Sequence, residues 1–541
     1  MISGARFFGY RPAGGAFTVS RRLIGALTVV GALSLGSCEL RSPVAESSAF
    51  VLEETTISRI LDALNTKQLT CQQLVTFYLA RIEAYDDKGP ALNAILTLNP
   101  AALETAASLD ARRVADPAGV GTLHCIPVVL KDNFDTADLP TTGGSVTLAE
   151  SFPQDDAFVV RRLREAGALV LAKANLTELA RGGTTVSSLG GQTKNPYDLT
   201  RTPGGSSGGT GAAVAANFAT VGTGSDTGQS IRSPASAQSL VGFRTTRGLV
   251  SRDGIIPVST TQDEAGAITR TVEDAARMLD VIAGYDPNDP ITAFSLGRIP
   301  KSYTDSLDRN GLDGARIGVL LDFFGAEEVH AQINSVTEAA IVKMKALGAT
   351  MVRLNRPDLV ELTQDLAVSQ FEAKYAFDSY LTALGPRAPV KSLEEFIDRN
   401  TFHEVIRESL EADQRVEDGL NDPEYVRRLL RRQVLRQAVM VIMAEHDLDA
   451  ILYPHQRRLV ASIGEPQLER NGVLSNGTGF PAITFPGGYS DPSTSAPFGV
   501  PIGIELIGAA WSEPTLIKFA FAFEQAANIR RPPTSTPSLN E

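Results

Sequence analysis

Serines in glycine-rich turns are the residues of this sequence most suited to covalent chemistry. They lie in the segment 202–235, TPGGSSGGTGAAVAANFATVGTGSDTGQSIRSPA, with Ser206 and Ser207 near its start and Ser230 near its end. Glycine lets a backbone approach a ligand closely or adopt positive φ. The segment therefore predicts an acyl-transfer site built from serine hydroxyls and a row of backbone N–H groups.

A serine becomes a nucleophile at neutral pH when an adjacent base takes its proton. Residues 204–208, GGSSG, match the G-x-S-x-G spacing of a serine–histidine hydrolase, but that motif requires a strand immediately before it. The preceding residues 199–203, LTRTP, are typical of a turn instead. The sequence context therefore argues against a histidine-dependent hydrolase of this kind.

Lys131 is the other available base. It follows the apolar residues 126–130, IPVVL, which predict a strand, so its ammonium group is expected to be partly desolvated. Burial disfavours the charged form of a lysine and lowers its pKa. A lysine after a strand is more often a surface charge, and only the motifs that accompany Lys131 favour a catalytic role.

The apolar pattern predicts an α/β fold with a mixed or parallel sheet, because strand–helix–strand alternation occurs twice. Strands are predicted at 126–130, 168–172, 317–321, 349–354, 450–453 and 502–507. Helices are predicted twice within 56–85, with Thr70 as an N-cap, and at 101–113, 156–166, 212–219, 329–347 and 513–527. Residues 361–447 are charge-rich and almost wholly helical in pattern, which indicates a helical insertion over the sheet.

Composition disfavours several classes of partner and site. The formal net charge is −12, and phosphate binding needs clustered lysine and arginine, so nucleic acid is not an expected partner. The one basic cluster, RRLLRRQ at 427–433, is interpreted as a solvated helix face. Five scattered histidines and three cysteines predict no metal site, and no cofactor is expected. Whether Cys71 and Cys125 pair stays open from the sequence.

The first forty residues predict an export signal. Ser20-Arg21-Arg22 precedes an apolar run at 23–35 that is short for a membrane span but suits a signal-peptide core. Small residues before Cys38 resemble a bacterial lipobox, which would make Cys38 a lipidated first residue, and the arginine pair resembles a twin-arginine signal. Cleavage near Ser37 without lipidation is the alternative. The protein is expected to be periplasmic, anchored to a membrane through Cys38, or secreted.

Several stretches together resemble the amidase signature family. The resemblance is carried, in chain order, by IPVVLKD at 126–132, AKANLTE at 172–178, KNPYD at 194–198, GGSSGG at 204–209, SDTGQSIR at 225–232 and GLVSRDGIIP at 248–257. The last of these is most similar to bacterial peptide amidases. The resemblance implies a single large domain with a central mixed β-sheet surrounded by helices. The expected boundaries are a signal peptide at 1–38, a flexible tether at 39–54, the amidase signature domain at 55–530 with its insertion at 361–447, and a flexible tail at 531–541.

The resemblance implies a Ser-Ser-Lys triad. By position, Ser230 is the nucleophile, Ser206 is the bridging serine, held in the family by a cis peptide bond from Gly205, and Lys131 is the base. The family spacing of 24 residues between the serines is met by Ser206 and Ser230 and leaves Ser207 as the runner-up. The implied oxyanion hole consists of the backbone N–H groups of Thr227, Gly228, Gln229 and Ser230.

Gln229 departs from the family, which usually has glycine at this position. The departure puts the turn geometry and the substrate choice in question more than the chemistry. Asp226 and Arg232 are expected to brace the turn rather than to react. The implied acyl pocket includes Ala180, Arg181 and Gly182 and the region 477–481. Its residues are small or apolar apart from Arg181, so a neutral acyl group is expected.

The implied activity is hydrolysis of carboxylic amides through a serine acyl-enzyme, with C-terminal peptide amides or aryl acylamides as the first substrates to test. Hydrolysis of esters or carbamates at the same site is the alternative. An amidotransferase component that works with partner chains is less expected, because this chain carries an export leader. A non-catalytic binding protein is less expected, because Lys131, Ser206 and Ser230 are all retained.

Overall fold

The computed structural model describes residues 50–539. The expected signal peptide at 1–38, with Cys38, lies outside the described residues, as does the expected tether as far as residue 49. No helix in the described part of the chain combines the length and the apolarity that a membrane span needs.

Over residues 50–539 the strands form one large sheet and one small hairpin. Their bounds are β1 Ile95–Leu98, β2 Pro127–Lys131, β3 Leu169–Ala174, β4 Val186–Ser187, β5 Gly191–Gln192, β6 Val221–Asp226, β7 Val241–Arg244, β8 Glu264–Thr269, β9 Arg316–Leu320, β10 Thr350–Leu354, β11 Ala450–Pro454, β12 Ala482–Tyr489 and β13 Pro501–Ile507. The large sheet has eleven strands in the order β1-β3-β2-β6-β8-β7-β12-β13-β11-β9-β10. It is mixed, since β2 runs parallel to β3 and β6 whereas β8 runs antiparallel to β6 and β7.

Helices pack around this sheet, so the expected architecture of a central mixed sheet surrounded by helices is confirmed. Their bounds are α1 Ile57–Asn65, α2 Cys71–Ile82, α3 Ala102–Ala115, α4 Phe158–Glu165, α5 Gly208–Ala215, α6 Arg232–Ala237, α7 Val272–Ile282, α8 Ala331–Ala346, α9 Pro357–Leu362, α10 Ser369–Leu384, α11 Leu393–Arg399, α12 Arg407–Gln414, α13 Pro423–Glu445, α14 Val473–Thr478 and α15 Glu513–Ala527.

The start of α2 follows directly from its sequence. The Thr70 hydroxyl accepts from the backbone N–H of Gln73, and the Gln73 side chain accepts from the backbone N–H of Thr70, which completes a capping box and confirms Thr70 as the N-cap. Cys71 opens α2 and is joined by a disulfide to Cys125, which lies just before β2. The disulfide ties this outer helix to the sheet.

Strands β2 and β6 lie side by side near one end of the sheet, and α5 packs closely on them. The close approach requires glycine in β6, because a Cβ added at Gly222 would clash with the Thr210 methyl group of α5. The start of α5, with its preceding serines, is thereby brought next to the end of β2. The expected helix at 212–219 is misplaced, since α5 covers 208–215 and the chain turns at Asn217, whose φ is +58°.

The expectation of flexible segments at 39–54 and 531–541 is wrong in part, because described residues of both segments are hydrogen-bonded to the domain. In the expected tail, Ser535 donates to the carbonyl of Pro196 at 2.6 Å, and the buried Arg81 donates to the carbonyls of Thr536 and Pro537 at 2.8 and 3.0 Å. In the expected tether, Glu53 accepts from the same Arg81 at 2.8 Å. A buried guanidinium needs several acceptors, and these segments supply them.

Candidate active site

Lys131 ends β2, and its side chain is fully buried. Its Nζ donates to Ser206 Oγ and to Ser225 Oγ, each at 2.8 Å, and to the carbonyl of Ser225 at 3.3 Å. The structure thus brings the base expected from sequence into direct contact with the expected bridging serine, 75 residues away in the chain.

The charge state of Lys131 is set by burial. Burial lowers its pKa to about 7, although the carboxylates of Asp226 and Asp263 act in the opposite direction. Among the described residues no carboxylate lies within ion-pair distance of Lys131. The neighbouring buried Lys173, by contrast, has Asp132 at 3.1 Å. Lys131 therefore has the electrostatic environment of an amine that can lose its proton near neutral pH.

Ser225 is a partner of Lys131 that sequence reasoning missed. Its hydroxyl also accepts from Asn133 Nδ2 at 3.0 Å, so Asn133 helps to fix the serine that contacts Lys131. Ser225 could have been found only by assigning 221–226 to a strand parallel to β2. The glycines in that segment made it resemble a turn instead.

The two neighbouring serines at the start of α5 have different positions. Ser206, which follows a cis peptide bond from Gly205, accepts from Lys131. The Ser207 hydroxyl donates instead to the carbonyl of Ser225 at 3.3 Å. The geometry therefore gives Ser206, and not Ser207, the contact with the base.

Ser230 lies in the turn after β6 and is 7% exposed. Within the described residues no hydrogen bond joins Ser206 to Ser230; the link between the two segments is from the Ser207 N–H to the Ser230 carbonyl, at 3.1 Å. The N–H groups of Gly228, Gln229 and Ser230 donate to no group in residues 50–539. A turn with three free consecutive N–H groups is suited to binding a negatively charged oxygen.

A cavity of about 610 Å³ opens over this turn. Its wall contains all four residues of the expected oxyanion hole and all three expected substrate-binding residues: Thr227, Gly228, Gln229, Ser230, Ala180, Arg181 and Gly182. The helical region 361–447, which was expected to shape the entrance, contributes further residues that the sequence did not single out: Ala367, Ser369, Gln370, Val405, Ser409, Ala412 and Asp413. Of the region expected around 477–481, only the adjacent Asn476 lines this cavity, and residues 477–479 line a separate one of about 250 Å³.

Arg181 does not present a free charge to the cavity. Its Nη1 is paired with the Asp413 carboxylate and lies 3.1 Å from the Ser409 hydroxyl, and both charged side chains are only 6% exposed. The pair joins the segment after β3 to α12, and its two charges neutralise each other.

A buried ionic network holds the turn from behind. Arg232 donates to Asp226 at 3.1 Å, to Glu505 at 2.7 Å and to the carbonyl of Gly228 at 2.6 Å. Arg244 donates to Asp226 at 2.8 Å. Burial would raise the pKa of Asp226, but the two arginines hold it well below its ordinary value. Asp226 and Arg232 therefore brace the turn, as their positions suggested.

Comparison with known proteins supports the same family that the motifs resemble. The amidase family profile matches residues 73–517 of this chain. The chain belongs to the amidase signature family. As such it is an enzyme, a hydrolytic amidase, and its large mixed sheet with surrounding helices is the amidase signature fold.

Relatives of this amidase differ in what they are described to do. It is 36% identical to a probable amidase of Arabidopsis thaliana, over 93% of this chain and 95% of the relative. It is 35% identical to a component of the glutamyl-tRNA(Gln) amidotransferase of Moorella thermoacetica, over 88% of this chain and 97% of that one. The crystal structure of a peptide amidase from Stenotrophomonas maltophilia matches with a TM-score of 0.81 and 37% identity, covering 89% of this chain and 98% of that one.

Gln229 is the position at which this amidase departs from the glycine expected in its family. Its side chain packs on Gly472, where an added Cβ would lie 2.9 Å from the Gln229 Cβ and 3.0 Å from its Oε1. That Oε1 is buried and has no hydrogen-bond partner within residues 50–539. Gln229 therefore lines the cavity while its side-chain oxygen is buried against Gly472 without a hydrogen-bond donor in the described residues.

Proposed function

We propose that this amidase works through a serine acyl-enzyme, with Ser230 as nucleophile, Ser206 as proton relay and Lys131 as base. The observation that carries the proposal is Lys131 itself. It is buried, has no paired carboxylate among the described residues, has a pKa of about 7, and has its Nζ 2.8 Å from Ser206 Oγ. A hydrogen bond between catalytic groups that is long without substrate often tightens in the complex, so the open Ser206–Ser230 link is compatible with a relay.

In the first half-reaction, Ser230 Oγ attacks the amide carbonyl carbon while its proton passes to Ser206 Oγ. The proton of Ser206 passes in turn to Lys131 Nζ. The C–N bond then breaks, and the proton returns through Ser206 to the leaving nitrogen. Water repeats the sequence on the acyl ester, which releases the carboxylic acid and restores the Ser230 hydroxyl.

The turn 227–230 stabilises the tetrahedral intermediate. Arg232 donates to the carbonyl of Gly228 and so fixes the turn that carries the free N–H groups. The turn therefore does not need to reorganise when negative charge forms on the substrate oxygen. One donor of this kind is worth about 3–4 kcal/mol of transition-state stabilisation.

The proposed substrates are C-terminal peptide amides, followed by aryl acylamides. The likeness to the Stenotrophomonas peptide amidase supports the first, and a cavity of about 610 Å³ has room for one or two residues. Esters and carbamates pass through the same tetrahedral intermediate and are the alternative. The amidotransferase relative brings a further alternative, in which ammonia passes to a partner protein.

The test is a panel of peptide amides, anilides, esters and carbamates, with kcat/KM determined for each on wild type and on Ser230→Ala. The proposal expects ammonia release from peptide amides by the wild type and none above background by the variant, with unchanged thermal melting. Residual wild-type activity in a folded Ser230→Ala protein would remove Ser230 as nucleophile. Preference for glutamine, and activity only with a partner chain, would favour the amidotransferase.

We also propose that the protein is exported and that Cys38 carries a lipid. The disulfide between Cys71 and Cys125 supports an oxidising compartment, where such bonds persist. Fractionation of cells that express the full chain, with intact mass of the mature protein, tests both points. Membrane recovery that is lost in Cys38→Ala is expected; a soluble mature protein beginning near Ser37 would contradict lipidation.

A further inference from the structure

Arg470 is a cation of the active-site cavity that the proposed mechanism does not use. It lines the same cavity as Ser230 and Gln229 and lies just before α14. Its guanidinium packs against the segment after β3, since a Cβ added at Gly183 would lie 2.5 Å from its Nη1 and 3.3 Å from its Cζ. Gly183 in turn packs on Gly205, the residue before Ser206. A Cβ added at Gly205 would lie 2.8 Å from the carbonyl carbon of Gly183.

The guanidinium of Arg470 has no partner among the described residues. None of its five N–H donors makes a hydrogen bond in residues 50–539, and no carboxylate there lies within 4.0 Å of it. The other arginine in the cavity wall, Arg181, is different, because Asp413 neutralises it. Arg470 therefore leaves the cavity with one uncompensated positive charge and a complete set of unused donors.

Arg470 is partly exposed in the wall of the cavity. Partial burial lowers its pKa, although the group stays protonated at neutral pH. A guanidinium binds a carboxylate through two parallel N–H···O bonds, and this arrangement both satisfies the donors and neutralises the charge. A neutral carbonyl would satisfy one donor and leave the charge uncompensated.

We propose that Arg470 is a specificity-determining residue that binds a carboxylate on the acyl part of the substrate. The inference rests on the proposed function, because the amide carbon must lie at Ser230 while the carboxylate reaches Arg470. It replaces the neutral acyl group expected from sequence, which considered Arg181 but not Arg470. The preferred substrates are then amides whose acyl chain also carries an acidic group, such as an acidic side chain or the second carboxylate of a dicarboxylic acid.

The experiment compares succinamate, glutaramate and adipamate with their methyl esters, with ammonia release as the readout. The series varies the distance between amide and carboxylate, and each ester removes the charge and adds one methyl group. In the wild type, kcat/KM for the best acid is expected to exceed that of its ester by about 10- to 100-fold, the range for a charge-assisted hydrogen-bonded pair. Arg470→Gln should bring the ratio close to one, and Arg470→Lys should give an intermediate ratio.

Two controls keep the inference separate from the proposed function. Arg353→Gln removes the same charge from the exposed strand β10, where Arg353 pairs with Glu338, and should leave the ratio at the wild-type value. Binding of glutaramate and its methyl ester to Ser230→Ala, measured by calorimetry, reports the carboxylate contact without turnover. If the acid binds more tightly than its ester, and Arg470→Gln abolishes that difference, the inference is supported even if no amide is hydrolysed. Equal binding and equal turnover of acid and ester would overturn it while leaving the amidase mechanism intact.

Discussion

Replacing Ser225 by alanine tests whether Lys131 is held as a base by its hydrogen-bond acceptors. The Ser225 hydroxyl lies 2.8 Å from Lys131 Nζ and stabilises the protonated amine. A hydrogen bond to a charged group contributes about 1.5–3 kcal/mol, and one pKa unit corresponds to about 1.36 kcal/mol. The substitution should therefore lower the pKa of Lys131 by about one to two units from its value of about 7.

The assay is the pH profile of kcat/KM between pH 5 and 9, since the proposed mechanism requires the neutral amine. At pH 5.5 a base with a pKa of about 7 is only about 3% neutral, whereas one shifted down by a single unit is about 24% neutral. Ser225→Ala should thus retain a larger fraction of its own plateau rate at acid pH. The plateau itself should fall, because a less basic amine is a weaker proton acceptor.

Ser207→Ala is the matched control. It removes a neighbouring buried hydroxyl that contacts only the backbone carbonyl of Ser225 and makes no bond to Lys131. Its acid limb should stay at the wild-type position. An acid limb of Ser225→Ala that is unchanged or moves to higher pH, in a protein with wild-type melting, would refute the assignment of that limb to Lys131.

Three further substitutions test the walls of the site. Asp226→Asn should lower the free energy of unfolding by about 3–5 kcal/mol, because Arg232 and Arg244 would keep buried charges without their shared partner; denaturant unfolding measures this, and wild-type stability would contradict it. Gly472→Ala places a Cβ 3.0 Å from Arg232 Nη1 and 2.9 Å from the Gln229 Cβ, so kcat/KM should fall about 10- to 100-fold through displacement of the turn; a wild-type rate would contradict it. Gln229→Gly should raise kcat/KM for anilides relative to primary amides by opening the cavity, and an unchanged ratio would count against a leaving-group role.

Apolar strands could be predicted from the sequence, and glycine-rich ones could not. Strands β2, β3, β9, β10, β11 and β13 lie within two residues of their predicted bounds, because each contains several apolar residues close together. Strand β6 reads VGTGSD and has the composition of a turn. Its glycines serve close packing against α5, as the clash of a Cβ at Gly222 shows. Glycines that are needed for close packing and glycines that are needed for a turn look the same in a sequence.

Sequence could predict those site residues that are recognised by their type and spacing. It could not predict those whose role depends on which distant residue they contact. Lys131, Ser206 and Ser230 were found from their types, their spacing and a family resemblance. The contact of Lys131 with Ser225 depends on the register of two strands that were not both recognised. The pairing of Arg181 with Asp413 joins residues 232 positions apart, and only the fold of the helical region could reveal it. Because Asp413 neutralises Arg181, the arginine of the cavity wall that has no partner within residues 50–539 is Arg470.

Lys131 has the properties of a base because burial lowers its pKa further than the nearby carboxylates of Asp226 and Asp263 raise it. Asp226 favours a charged lysine, but it is also paired with Arg232 and Arg244, whose positive charges oppose that effect. Asp263 is likewise engaged, by the Thr227 hydroxyl at 2.5 Å and by the N–H groups of 258 and 259. The bond to Thr227 also fixes the turn that is proposed to form the oxyanion hole. One network therefore places the donors and leaves the amine free to be neutral, and loss of any member should affect both stability and pH dependence.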